Sequence, residues 1–229
     1  MTIKSETIAR LKAAAISLVT TPGRSTLITE DYPIPKLDRA NINVEPEIDL
    51  FHFGFSICSH KVRSVLAELK LDYGSNQFAG PIAYENYAPE YVRLRLQSDS
   101  ARNSDFVSGY TGGSAVETEG FDPLVVPTLV DNRRGKVVAD SKLICLYLAR
   151  NYRDSMDLLP ADLEDQIIEQ IDIVDRTPHV AMLYGANPAG DTRPEDIQTR
   201  MPGIHHIKFD PVVRVKLGFY VANVTNHER

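Results

Sequence analysis

Only two cysteines, Cys58 and Cys145, occur among 229 residues. A disulfide framework in a chain of this length needs more, so a reducing compartment and a cytoplasmic location are expected. Long apolar runs are missing too. The longest near the start is Ala13-Ala14-Ala15-Ile16, broken by Ser17 before Leu18 and Val19. That is far short of the roughly 20 residues a membrane span needs. Lys4, Arg10 and Lys12 imitate the basic start of a secretory signal, but Glu6 intrudes and the apolar stretch is short. No membrane partner is expected. Positive charge is in deficit: 25 Lys+Arg against 31 Asp+Glu leave a net −6, which argues against broad nucleic-acid binding. Metal-ligand spacing is absent as well. His205 and His206 are adjacent and share neither a helical nor a strand face, so no metal is expected.

What is present is an ordinary globular composition, 43% hydrophobic and 24% charged, long enough for two modest domains. Near the start, Ile8, Leu11, Ala15 and Leu18 fall on one face of an amphipathic helix. The chain is organised around residues 51–66. Leu50, Phe51 and Phe53 read as a strand ended by Gly54. Val62, Val65, Leu66 and Leu69 then give one apolar helical face. Cys58 and Ser59 sit at the join, where the first helical N–H groups lack intrahelical partners. A thiol there meets the positive end of the helix dipole, which favours the thiolate. Ser56 and Ser59 flank it as hydroxyl donors to a sulfur. The same position also suits a small buried cysteine behind a helix cap. Cys145, inside Leu143-Ile144-Cys145-Leu146, reads as core.

A second stretch, residues 123–149, reads strand, turn, strand, helix. Pro127 interrupts its first apolar run, which suits a strand start or a cis bond. A polar turn at Asn132-Arg133-Arg134-Gly135 follows, and Asp140-Ser141 supply an N-cap before Ile144, Tyr147 and Leu148.

In this order the two stretches resemble the thioredoxin-like domain of the glutathione transferase superfamily. The resemblance implies an α/β thioredoxin-like N-terminal domain, then an all-α C-terminal domain, with glutathione as co-substrate. It implies that the Val126–Pro127 bond is cis and that Val126 pairs its backbone with glutathione. It implies that Asp140 and Ser141 hold the γ-glutamyl end, and that the first strand–helix junction, here Cys58, acts on the sulfur. Two motifs narrow the likeness: Ser56-Ile57-Cys58-Ser59-x-Lys61-x-Arg63, and the run from Glu85 to Leu94. Both are similar to the branch that reductively dechlorinates chlorinated hydroquinones, which implies a chlorinated aromatic substrate. Rival readings are another glutathione-dependent isomerase or conjugate reductase, or a non-catalytic thioredoxin-like binding module.

The expected layout is an extension over residues 1–47, whose Pro-spaced segment after the first helix (Tyr32-Pro33-Ile34-Pro35) wraps the surface, a glutathione-binding domain over 48–153, and a helical domain over 160–229. Residues 95–122, Gly/Ser-rich and longer than the family's usual link, read as an insertion that either leans over the thiol site or is a floppy surface loop. Arg93 and Arg95 read as a solvated face, with substrate contact as the alternative. Leu163, Ile167, Ile168, Ile171 and Val174 mark the first helix after the domain. His179 and Tyr184 beyond it are candidates for substrate contact. The 77 residues after Tyr152 are few for the family's helical domain. An incomplete domain with exposed apolar faces is therefore expected, with a homodimer as one way to cover them.

Overall fold

The computed structural model describes residues 3–20, 37–38, 46–54, 56–78, 85–107 and 115–176. A five-stranded sheet lies at its centre in the order β1-β3-β2-β4-β5. The strands are β1 (Leu37–Asp38), β2 (Ile48–Phe53), β3 (Gly74–Phe78), β4 (Thr128–Asp131) and β5 (Lys136–Ala139). β2 and β3 are parallel, β2 and β4 antiparallel, and β4 and β5 form a hairpin. This is the thioredoxin-like arrangement, with β1 added at one edge.

Every residue of β2 is buried. A central strand covered on both faces reads as a nearly continuous apolar run, and β2 supplies layers on each side. Ile48 and Leu50 join Leu129 and Val138 under α2 (Ile57–Glu68) and α6 (Ser141–Asn151). Phe51 and Phe53 join Phe78, Val130 and Val137 on the opposite face. That face is covered by α1 (Ile3–Thr20) and α3 (Pro89–Arg95). The apolar face expected for the first helix, Ile8, Leu11, Ala15 and Leu18, is the face that α1 turns to the sheet. Ile8, Ala15 and Leu18 pack into the core beside Tyr91 and Leu94. Residues 21–36 and 39–45 lie outside the described residues.

A buried charge pins α1 in place. Lys12 Nζ donates to Asn132 Oδ1 at 2.8 Å and lies 3.4 Å from Asp49 Oδ2. Asp49 is fully buried and also accepts from Asn76 (2.9 Å) and Asn132 (2.9 Å). A buried carboxylate needs such pairing, because desolvation penalises it heavily.

The 95–122 insertion is in good part folded. α4 (Asp99–Asn103) and α5 (Val116–Glu119) flank a bridge between Phe106 and Phe121. Phe121 N donates to Asp105 O, and Val107 N to Phe121 O. Gly120 makes this possible: its φ is +85°, and a Cβ there would meet Asp105 O at 2.9 Å. Residues 108–114 lie outside the described residues.

After α6 the chain turns into α7 (Glu164–Arg176). Arg150 near the end of α6 pairs with Glu164 at the start of α7, and Lys142 at the start of α6 pairs with Asp172. The two helices are thus antiparallel. Ile167, Ile168 and Ile171 pack on Leu146 and Ala149 as their spacing predicts. Leu163 and Val174, expected on the same face, are exposed.

Two outcomes follow from these buried polar groups. Lys12→Met should destabilise the protein by about 3–5 kcal/mol in urea unfolding, because Asp49 stays buried without its cation. The two amides that remain on Asp49 hold the loss toward the lower figure. The second concerns Asp131, which accepts from Tyr147 and Tyr152 hydroxyls at 2.7 Å each and from Arg134. Burial alone would raise this carboxyl, but the two phenols and Arg134 outweigh it and hold it below its ordinary range. A carboxylate depressed in the folded state adds stability above the unfolded pKa of about 3.9 and loses it as pH falls through the folded value. Tyr152→Phe should therefore cost about 1.5–3 kcal/mol at neutral pH. It should also move the acid-unfolding limb, followed by circular dichroism, to higher pH.

Candidate thiol site

The site is built at the end of the sheet where β2 runs into α2 and the chain enters β4. Ser56 caps α2, with φ −75° and ψ 122°, and its Oγ accepts from Ser59 N at 3.2 Å. Cys58 follows in the first turn and is partly exposed. A hydroxyl that accepts one N–H keeps its own proton to donate, so Ser56 can still offer a hydrogen bond to a sulfur. Ser59, expected as a second donor to the sulfur, meets the strand end behind the helix. Its side chain is fully buried, and its Oγ accepts from Phe53 N at 3.4 Å, tying the strand end to the helix start.

The far end of α2 closes as a Schellman motif. Leu71 N donates to Leu66 O and Lys70 N to Ala67 O, with Lys70 at φ +54° where glycine is usual.

Opposite α2 the Val126–Pro127 bond is cis. The backbone before β4 follows no ladder, so its carbonyls need other donors. α3 and the turn before it supply them. Asn86 Nδ2 donates to Leu124 O (2.6 Å), and Tyr91 Oη donates to Val125 O (2.7 Å). Arg95 donates to Asp122 O (2.9 Å), Pro127 O (2.6 Å) and Thr128 Oγ1 (2.9 Å). Arg95 is buried and lies 5.1 Å from the Phe121 ring centroid. The expected solvated face is thus wrong for Arg95. A guanidinium with five fixed donors suits a cluster of carbonyls that a lysine could not bridge.

Asp140 has φ +83° and caps α6. Its Oδ1 accepts from Lys142 N (2.9 Å) and Leu143 N (3.2 Å), and its Oδ2 from Val116 N (2.8 Å) in the insertion. Burial pushes its carboxyl up, and the N–H groups of Leu143 and Val116 work against that. Asp140 is thus engaged in holding backbone together, and Ser141 beside it is also buried. So the insertion meets the domain at the cap of α6.

Two lysines flank these helix starts, and sequence reading gave neither a role. Lys61 of α2 pairs with the buried Asp175 of α7. Lys142 pairs with Glu117 (2.9 Å) and Asp172 (2.7 Å). Neither pairing has a local signal, because the partners are 114 and 30 residues away in Lys61–Asp175 and Lys142–Asp172. His179 and Tyr184 lie outside the described residues. Among the described residues no group of His, Cys, Asp and Glu is placed to hold a metal ion, and no helix is long and apolar enough to cross a membrane.

A thioredoxin-like sheet thus carries a capped helix start bearing a cysteine after β2, a cis-proline before the neighbouring β4, and an Asp-Ser helix cap after β5. Residues 55–151 match the family described as glutathione S-transferase, N-terminal domain. This stretch is a glutathione S-transferase N-terminal domain. Over 215 residues, 93% of the chain, the sequence is 51% identical to the 2,5-dichlorohydroquinone reductive dechlorinases of two Sphingobium indicum strains, B90A and UT26. The match takes in 61% of those proteins, so the chain spans less than two thirds of their length. A tetrachloro-p-hydroquinone reductive dehalogenase of Sphingobium chlorophenolicum is 43% identical over 49 residues, 21% of this chain and 20% of that one. Among solved structures, beta-etherase LigF from Sphingobium sp. strain SYK-6 aligns over 78% of this chain and 70% of its own, at 18% identity and a TM-score of 0.45.

The two cysteines of this transferase domain should differ sharply in reactivity. Cys145 is buried in the core between α6 and the sheet, and burial pushes its thiol up to about 12. The thiolate is the nucleophile, so Cys145 is inert in the folded protein. Iodoacetamide at pH 8 should add one label, on Cys58, to native protein and two after denaturation, read by mass spectrometry. Equal labelling of both in native protein would contradict the burial of Cys145.

Proposed function

We propose that this protein uses glutathione to remove chlorine reductively from a chlorinated hydroquinone. The observation that carries the reading is the 51% identity to the 2,5-dichlorohydroquinone reductive dechlorinases across nearly the whole chain. The position of Cys58 in the first turn of α2, partly exposed and beside the Ser56 cap, supports it.

The chemistry runs in three steps. The hydroquinone tautomerises to a ketone, and glutathione thiolate displaces chloride to give a glutathionyl hydroquinone. Ser56 and the start of α2 favour the thiolate. Cys58 thiolate then attacks the glutathione sulfur of the conjugate's ketone tautomer. The carbon–sulfur pair returns to carbon, which takes a proton, and a Cys58–glutathione disulfide forms. A second glutathione exchanges with that disulfide and releases glutathione disulfide. In total two thiols are oxidised, one carbon–chlorine bond becomes carbon–hydrogen, and HCl leaves. No second cysteine stands at Cys-x-x-Cys spacing, which suits an external resolving thiol. Val126, Pro127 and Ser141 line the glutathione subsite in this reading, and Asp140 shapes it through its backbone contacts.

Cys58→Ser separates the steps. Chloride release from 2,5-dichlorohydroquinone should survive, and the glutathionyl hydroquinone should accumulate where wild type yields free hydroquinone. Wild type given the conjugate with little free glutathione should carry one glutathione on Cys58 by mass spectrometry. Free hydroquinone from the variant at the wild-type rate would remove Cys58 from the reaction. Wild type that binds glutathione and releases no chloride would leave a binding module.

A further inference from the structure

Lys142 joins three parts of the chain at one point. It follows Ser141 at the start of α6, and its backbone N–H donates to Asp140 Oδ1. Its Nζ is shared between Glu117 of α5 and Asp172 of α7. The lysine side chain is only 8% exposed, whereas Glu117 is 50% and Asp172 35% exposed, so the Asp172 contact is the less screened of the two. Burial alone would lower the Lys142 pKa, but Asp172 and Glu117 outweigh it and raise it. The ammonium therefore stays charged at neutral pH.

Apolar packing does not fix this end of α7. Ile167, Ile168 and Ile171 rest on Leu146 and Ala149, while Ile173 and Val174 in the last turn are exposed. That last turn meets the sheet domain through carboxylates at i and i+3, Asp172 on Lys142 and Asp175 on Lys61. Both lysines stand in the first turn or two of the helices that frame the thiol site.

We infer that Lys142 is a positioning residue for the glutathione subsite. Its ammonium draws residues 115–119 and α7 onto the start of α6, so that glutathione binding and the docking of α7 form one coupled equilibrium. The inference rests on the reading that Ser141 belongs to the glutathione subsite. Coupling of this kind is reciprocal: a ligand that prefers the assembled arrangement must also strengthen it.

The test uses the full chain with glutathione as the probe. Lys142→Met keeps the apolar stem and removes the charge, and Lys142→Arg keeps the charge. Hydrogen exchange read by mass spectrometry follows residues 115–119 and 164–176, with β2 and β4 as the reference for folding. Calorimetry gives the glutathione affinity. In Lys142→Met both segments should exchange faster while β2 and β4 stay protected, and the glutathione Kd should rise by about fivefold or more. Lys142→Arg should restore both, and glutathione should slow exchange in α7 of wild type. Should Lys142→Met fail to fold, Asp172→Asn removes one partner of the same ammonium and carries the same expectation for α7. Wild-type affinity in a Lys142→Met protein with loosened segments sinks the coupling, as does unchanged exchange in both. Wild type that binds no glutathione, or a Ser141→Ala variant that binds it as wild type does, sinks the reading of the subsite and the coupling with it. The exchange data then still report whether the ammonium holds α7.

Discussion

The carbonyls of Asp122, Leu124, Val125 and Pro127 lie in backbone that enters β4 without a strand partner, and each accepts from a side chain elsewhere. A buried carbonyl left without a donor would cost about 1–3 kcal/mol, so this stretch stands only where donors surround it. Asn86, Tyr91 and Arg95 provide them from one short helical segment. The requirement sets the position of α3 against the sheet. It also holds the cis-proline turn facing α2. The thiol site exists because an irregular stretch is held as firmly as a strand.

The same physics explains how the peripheral segments attach. α1, α5 and α7 are each held partly by apolar contact and partly by a lysine near the sheet domain. Lys12 neutralises Asp49 beneath α1. Lys142 and Lys61 receive the carboxylates of α5 and α7. Asp49, Asp175 and the Lys12 and Lys142 side chains are buried, and a buried charge is costly unless paired, so these contacts select one docking geometry over its neighbours. The transferase domain thus carries its additions on a small number of strongly directional contacts, two of them beside the helix starts that would receive a thiol ligand.

Much of the domain was legible in the residues. The apolar Leu50, Phe51 and Phe53 of β2, the one-faced α2 and α6, the hairpin over residues 128–139 and the position of Cys58 follow from period and turn chemistry, which act within a few residues. Cys145 was legible as core for the same reason. The burial of Arg95 is not legible, because its period on α3 says only which way it points; the carbonyls it meets are 27 and 32 residues later. The burial of Ser59 is not legible either, because a serine at a helix start looks the same whether it faces a ligand or the strand behind it.

The sequence alone determined the local elements, the charge balance and the family of the central domain, since each depends on residue types at short spacing. Tertiary structure decided that the apolar face of α1 docks beside α3 on the sheet, that the insertion closes on Asp140, and that α7 is tied to Lys61 and Lys142. Those outcomes depend on pairs of polar groups far apart in the chain. Desolvation and geometry choose such pairs, and neither is written in the spacing of residues along the sequence.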